Sequence, residues 1–371
     1  MSADRYHRHS LIDWFSQDDL KASSFAIVGC GAVGNEVAKN LALLGVGQID
    51  LYDFDTIEIH NLTRSVLFRE SDIGLNKAEV AAKRLKEIDN SVKVNFYPGD
   101  FWDLLSLEKA KSYNCILCCV DNFEARIKLN QLCLLTGTDF VNTGIDSKFS
   151  QVEVFPFSKG RHIGCYECNL PYSAYERVQK RYSCGWLKKI SYVEKKIPTT
   201  IITSSLTGSL AASSALNLIR ENSSTESTRI LTNTFTGVSS VSVIEQSCMC
   251  PACSSIGDHI SIVKGSARIE GKLNSLGDET IHITTSDPIL VSYRCIDCTP
   301  NEQDAIKVLQ KASNFDSSIA TCTICGKDSV DVTIKDTFKI SELLAEFGGK
   351  FLPSKYIKFD DKDRTIIVDL E

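Results

Sequence analysis

The chain has 371 residues, 41 Lys+Arg against 47 Asp+Glu, and 15 Cys. That length predicts about two or three domains, and the net charge of −6 argues against a nucleic-acid-binding surface, which needs clustered positive charge. No run approaches the roughly 20 apolar residues that cross a bilayer, and the charged start Arg5-Tyr6-His7-Arg8 has no apolar signal core, so a cytoplasmic protein without membrane attachment is expected.

In a reducing compartment the cysteines do not make a disulfide framework, and an odd number leaves one unpaired, so their spacing has to account for them. In chain order, Phe25-Ala26-Ile27-Val28 is an apolar run, Gly29-Cys30-Gly31-Ala32-Val33-Gly34 a glycine turn, Asn35 to Leu44 a helix, and Gln48 to Asp53 a second apolar run. This is a βαβ unit with buried parallel strands. Helical spacing returns at Lys77 to Ile88 and Glu124 to Leu135, and strands are expected at Val92 to Phe96, Cys115 to Val120 and Asp139 to Thr143. Strands alternating with helices predict an α/β, Rossmann-like doubly wound parallel sheet.

After Gln151 the pattern becomes strand-like alternation, then a Cys-x-x-Cys turn, a polar segment from Pro171 to Lys196, and a small-residue helix from Thr199 to Arg220. Short β-like segments follow Ser254, and the last 40 residues read strand, helix (Ile340 to Phe347), strand, strand. The expected division is 1–256, a β-rich region at 257–330, and 331–371.

Gly29-x-Gly31-x-x-Gly34 follows a strand and opens a helix, where backbone N–H groups and the helix N-terminus can cradle phosphate. Asp53, at the end of the second strand, is placed to meet ribose hydroxyls, and to this point a dehydrogenase is equally allowed. The polar run that follows, Asp53-Phe54-Asp55-Thr56-Ile57-Glu58-Ile59-His60-Asn61-Leu62-Thr63-Arg64, favours a triphosphate instead. Arg64 can fork onto phosphate oxygens and Lys77 can add a point charge. Asp121, just beyond the buried strand, can hold Mg²⁺ at the carboxyl end of the sheet. Singly, each is also readable as a solvated loop charge.

Together with Arg5-Tyr6-x-Arg8-His9, Asp121-Asn122 and the cysteine pairs, this order resembles the ThiF/MoeB/E1 superfamily of adenylating enzymes over about residues 4 to 255. The resemblance implies ATP-dependent adenylation of a carboxylate, usually the C-terminal glycine of a ubiquitin-like protein. It implies that Gly29, Gly31, Gly34, Asp53, Asp55, Asn61, Arg64, Lys77 and Asp121 bind ATP and Mg²⁺. It also implies that Arg8 reaches the γ-phosphate of a homodimer partner. Ser65 departs from the Gln usual in the family after the Arg.

Cys165-x-x-Cys168 with Cys250-x-x-Cys253 makes two chelating turns suited to a tetrahedral Zn²⁺ site, and the family has a structural zinc there. Cys295-x-x-Cys298 with Cys322-x-x-Cys325 repeats the arrangement outside the matched region and predicts a second zinc ribbon, in a region poor in apolar residues. Cys115-x-x-Cys118 lies in an apolar strand and reads as packing, as do Cys30, Cys119 and Cys133; Cys248 is a spare. In thioester-forming members the catalytic Cys occupies the stretch holding Cys184, where Arg181, Lys188 and Lys189 favour a thiolate. The plain alternative there is an exposed loop thiol.

The tail weakly resembles the ubiquitin-fold domain that recruits E2 proteins in E1 enzymes. The leading expectation is therefore an E1-like enzyme acting on a ubiquitin-like or sulfur-carrier protein, with a thioester on Cys184 and transfer to an E2-like or sulfur acceptor. The alternative is a superfamily member that activates carboxylates or amides of a ribosomally made precursor peptide. A degenerate, non-enzymatic scaffold is disfavoured by the intact set Arg8, Arg64, Lys77 and Asp121.

Overall fold

The computed structural model describes residues 5–181, 198–254, 256–257, 259–265, 282–299, 301, 305–314, 321–327, 330–347, 351–361 and 364–370. Within these, 5–170 and 198–254 form one compact unit, and 171–181 with 256–370 belong to a second.

The first unit is built on eight strands: β1 (Ser24–Val28), β2 (Gln48–Tyr52), β3 (Lys93–Tyr97), β4 (Cys115–Cys118), β5 (Asp139–Ile145), β6 (Phe149–Phe155), β7 (Thr228–Asn233) and β8 (Ser239–Val243). Their order is β3-β2-β1-β4-β5-β6-β7-β8. Pairing is parallel from β3 through β5 and antiparallel from β5 to β8. The apolar runs read from the sequence are the central parallel strands: all of β4 and all but the first residue of β1 and β2 are buried, because helices cover both faces. The β7–β8 hairpin has no counterpart among the sequence expectations.

The α-helices of this unit's first 170 residues are, among the described residues, α1 (Gln17–Ala22), α2 (Ala32–Leu44), α3 (Lys77–Ile88), α4 (Phe101–Leu104), α5 (Leu107–Lys111) and α6 (Phe123–Thr136). Side-chain caps set their starts: Asn76 accepts from the Glu79 N–H before α3, and Asn122 accepts from the Ala125 N–H before α6. The small-residue helix runs Ile201–Leu218, and its Ala211 and Ala215 join Val37 and Leu41 of α2 in the main core. Small residues let these helices approach closely; a Cβ on Gly208 would lie 2.3 Å from Cβ of Glu36.

The sheet order places the topological switch between the adjacent strands β1 and β4. Chains leaving β1 and β4 turn apart there and open a crevice at the carboxyl ends, the usual ligand position in such sheets. No helix among the described residues is long and apolar enough to cross a membrane.

The second unit holds a six-stranded sheet: β9 (His259–Lys264), β10 (His282–Cys295), β11 (Ile306–Lys311), β12 (Val330–Lys339), β13 (Tyr356–Asp361) and β14 (Arg364–Asp369). The expected boundary at 330/331 does not divide it, because β10 pairs with β11 and also with β12 and β13. The pieces share one core, in which Ile283 and Ile289 of β10 meet Phe338, Leu343 and Phe359. β10 is one strand of 14 residues instead of two short ones, with an irregularity between Thr284 and Ile289 that accommodates Pro288. The helix Tyr172–Arg181, expected inside the 1–256 body, also clusters with this second unit. Its polar sequence gives it little to bury against the first core.

Candidate active site and metal centres

The glycine turn links β1 to α2 at the switch point. Gly29 has φ +94°, and a Cβ there would lie 2.7 Å from the Cys119 carbonyl oxygen; a Cβ on Gly34 would lie 1.9 Å from the Gly29 carbonyl oxygen. These two glycines are thus required by the chain's own packing. Gly31 differs: it sits at the N-cap of α2 with no side-chain cap, and a Cβ there would meet nothing within 4 Å. The first turn of α2 therefore keeps N–H groups directed to an open face, the chemistry that suits a phosphate.

Hydrogen bonds fasten the acidic residues to this turn. The Cys30 N–H donates to Asp53 Oδ2 at 2.6 Å, the Asp55 N–H donates to Asp53 Oδ1 at 2.8 Å, and Lys77 Nζ pairs with Asp55 Oδ2 at 2.8 Å. Asn76 ties the two segments, donating to the carbonyls of Asp53 (3.0 Å) and Asp55 (3.2 Å). Burial pushes the Asp53 carboxyl up, opposed by the Lys77 charge and by the two N–H donors.

Fully buried Asn35 then joins the glycine turn to the next loop. Its Nδ2 donates to the carbonyls of Cys30 (2.7 Å) and Gly31 (3.1 Å), and its Oδ1 accepts from the Leu67 N–H at 2.9 Å. In that loop Asn61 is buried and accepts from the Glu58 N–H at 2.9 Å, and Arg64 donates to the His60 carbonyl at 2.8 Å. Buried Ser65 follows Arg64.

Asp121 lies two residues beyond Cys119, whose carbonyl runs beneath Gly29. It is exposed and makes no side-chain hydrogen bond or ion pair among the described residues. A carboxylate there, with substrate phosphates as the other ligands, fits the donor set of Mg²⁺.

The five-residue motif at the start divides. Arg5 donates to the Ile88 carbonyl (2.6 Å) and pairs with Asp89 (3.4 Å), and the Tyr6 hydroxyl donates to Asp89, so both fasten the chain to the end of α3. Arg8 is exposed, and no hydrogen bond or ion pair joins its side chain to the other site residues. Cys184 lies outside the described residues.

Four sulfurs converge at Cys165, Cys168, Cys250 and Cys253, and four more at Cys295, Cys298, Cys322 and Cys325; in each group all lie within 4.8 Å of one another, so both can hold zinc. In the first, Cys165 and Cys250 are 3.5 Å apart and Cys168 and Cys253 3.4 Å. Hydrogen bonding among these sulfurs pushes the Cys165 thiol up and pulls the Cys168 thiol down. In the second, Cys295 and Cys325 are 3.7 Å apart and Cys298 and Cys322 3.9 Å.

Cys30, Cys115, Cys118 and Cys133 are buried, and burial pushes their thiols up, as it does that of Cys119, to about 12. They are packing residues without the thiolate character that chemistry needs. Sequence reasoning missed Asn35, whose Leu67 partner lies 32 residues on in a loop, and Arg126, whose partners on β5 are brought to it by the sheet; neither leaves a local spacing signal.

The ThiF family pattern matches residues 5–253. A sulfur carrier protein adenylyltransferase of Thermus thermophilus is 35% identical over 173 residues, which are 45% of this chain and 64% of that protein. SUMO-activating enzyme subunit 2 of Dictyostelium discoideum is 34% identical over 152 residues, 41% of this chain and 22% of that protein. The match thus spans under two thirds of either relative. Among solved structures, Escherichia coli MccB with ATP aligns at a TM-score of 0.57 and 25% identity, covering 68% of this chain and 74% of that one. The same enzyme, described as the microcin C7 biosynthetic enzyme MccB, is also solved with N-formylated MccA.

Proposed function

The chain belongs to the ThiF family, and from that premise we propose that it uses ATP and Mg²⁺ to adenylate a carboxylate at the carboxyl edge of the parallel sheet. The observation that carries this reading is the hydrogen-bonded assembly of the glycine turn, Asp53, Asp55 and Lys77 at the switch point. The N–H groups at the start of α2 bind phosphate and Asp53 accepts from ribose hydroxyls. Asn61, Arg64 and Lys77 hold the triphosphate, and Asp55 keeps Lys77 oriented. Asp121 would hold Mg²⁺, which neutralises phosphate charge when bound.

In the reaction a substrate carboxylate oxygen bonds to the α-phosphorus as the bond to the bridging oxygen of the β-phosphate breaks, giving an acyl adenylate and pyrophosphate. The chain's task is to align these atoms and absorb negative charge. Arg8 has no ion-pair partner among the described residues, which suits a role toward the γ-phosphate of a second copy in a homodimer. Zinc in the two cysteine clusters is structural, about two ions per chain. Residues 5–170 and 198–254, within the expected 1–256, form the adenylating body.

The substrate we assign is the C-terminus of a ubiquitin-like or sulfur-carrier protein, on the likeness to relatives named for such substrates. Cys184 then takes the acyl group as a thioester and passes it to an E2-like or sulfur acceptor. A second reading, activation of a ribosomally made precursor peptide, is favoured by the alignment with the microcin C7 enzyme over 68% of the chain.

Substrate-dependent ATP–pyrophosphate exchange tests the reaction. It is expected with a carrier protein and lost in Asp121→Ala; undiminished exchange in that variant refutes the assigned metal residue. A reductant-labile adduct absent in Cys184→Ala separates the two readings, because activation of a peptide needs no thiol.

A further inference from the structure

Arg126 lies in the first turns of α6, five residues beyond Asp121, and its guanidinium reaches three acceptors on two strand ends. Nη1 donates to Asn142 Oδ1 at 2.6 Å and to the Thr143 carbonyl, and Nη2 donates to the Val120 carbonyl. Val120 is the residue before Asp121, and Asn122, the residue after it, is fixed by its own cap bond to the Ala125 N–H. Both peptides flanking the exposed Asp121 carboxylate are therefore pinned, one of them by Arg126 alone among the side chains described.

The guanidinium is itself held in place. Asn142 Nδ2 donates to Glu153 Oε2 at 2.7 Å, and Glu153 Oε1 accepts from Arg229 Nε (2.8 Å) and Nη2 (2.7 Å). Asn142 and Glu153 are 1% and 2% exposed. A chain of Arg126, Asn142, Glu153 and Arg229, buried at its two middle members, thus crosses β5, β6 and β7 and ends on the Asp121 turn. Burying a carboxylate and an amide is costly unless their partners are in place, so the Asn142–Glu153 pair favours the arrangement that both arginines complete. A lysine in place of Arg126 could not fork onto acceptors from two strands.

We propose that Arg126 is a positioning residue: it sets the Val120–Asp121 turn so that the Asp121 carboxylate meets the Mg²⁺ carried by the nucleotide, with Asn142, Glu153 and Arg229 holding the guanidinium. This rests on the nucleotide reading of the site. It differs from a stability role in what it makes sensitive, namely the increment that Mg²⁺ adds to ATP affinity.

The test is calorimetric titration of the purified full chain with ATP, with and without Mg²⁺, so that no acyl substrate is needed. In Arg126→Ala the factor by which Mg²⁺ tightens ATP binding is expected to fall about tenfold or more, as a misplaced ligand implies. Millimolar guanidine should restore part of it. Arg126→Lys should also lose most of the factor, and it carries the same measurement if the alanine variant does not fold. A folded variant with the wild-type factor overturns the proposal, as does equal weakening with and without Mg²⁺, which marks a purely structural residue. If the wild-type chain binds no ATP, the nucleotide reading itself falls and the proposal with it, an outcome distinct from an unchanged variant.

Discussion

The two cysteine clusters share a spacing but not a setting. In the first, Cys165, Cys250 and Cys253 are at most 5% exposed, and the sulfurs receive further donors: Asn130 Nδ2 reaches Cys165 Sγ at 3.5 Å and the Ser247 N–H reaches Cys168 Sγ at 3.4 Å. In the second, Cys325 is exposed, and among the described residues the apolar neighbours packed with the cluster are Tyr293, Val330 and Val332. The first cluster joins segments with buried apolar residues of their own, Tyr166, Ile244 and Ala252; the second lies at the Cys295 end of β10, apart from the Ile283–Phe359 core of its unit. The same ligand set therefore reinforces buried structure in one unit and substitutes for a core at one end of the other.

Metal removal gives the largest predicted contrast. Metal analysis should return about two zinc per chain, and Cys322→Ser should leave about one. Because a ligand set of this kind is assembled only in the folded state, its metal-binding free energy is folding free energy. Amide exchange across the Cys295 end of β10 and the Val330 end of β12 should then accelerate at least about a hundredfold in Cys322→Ser. Cys165→Ser should lose the other zinc yet keep protection in β1, β2 and β4, whose pairing does not depend on the metal. Equal loss of protection in the two variants would erase the distinction.

A smaller effect should sharpen it. Asn130 connects the first cluster to α6: besides Cys165 it donates to Glu167 Oε1 at 3.0 Å and accepts from the Tyr166 N–H at 3.0 Å. Outer donors of this kind orient metal ligands, and their loss typically costs about 10- to 100-fold in affinity. Asn130→Ala should weaken one zinc by that factor in a chelator competition and leave the second unaffected. Two equally weakened ions would mean that the clusters are not independent.

What the sequence disclosed and what it hid divide along physical lines. The glycine turn, the cysteine pairs and the helices expected from Lys77 and Glu124 were legible because their signals are local: a fixed loop geometry, a chelating turn, a helical spacing. β8 was not, since Ser239 to Val243 is exposed throughout and has no buried face to set a period. The single sheet running through residue 330 was hidden because it depends on pairings such as Cys295 with Val330 and Thr284 with Lys358. Arg126 had no signal at all: its partners Asn142 and Thr143 lie 16 and 17 residues on and meet it only once β4 and β5 are paired.

The smallest predicted effect is a difference in how the two units respond to acid. The first unit contains a fully buried carboxylate, Asp50 of β2. Burial alone would push it up, but donors from Tyr113 (2.6 Å), Lys109 (2.9 Å) and Asn95 (2.7 Å) outweigh burial and hold it below its ordinary value. A carboxyl depressed in the folded state stabilises fully above its unfolded value, near about pH 4, and loses that contribution as pH falls through the lower folded value. Cysteine ligands behave in the opposite sense for the metal, since protons compete for thiolates and release zinc on acidification. Acid should therefore take metal and fold together from the second unit, while the first unit, its zinc lost, is still supported by ionised Asp50. Amide exchange followed downward from pH 7 should show β10 and β12 losing protection before β1 and β2. Asp50→Asn removes the charged acceptor and should cost about 1–3 kcal/mol at neutral pH, with the cost shrinking toward the acid end. It should also narrow the pH interval between the two losses. An unchanged interval in that variant would mean that Asp50 is not what lets the first unit outlast its metal.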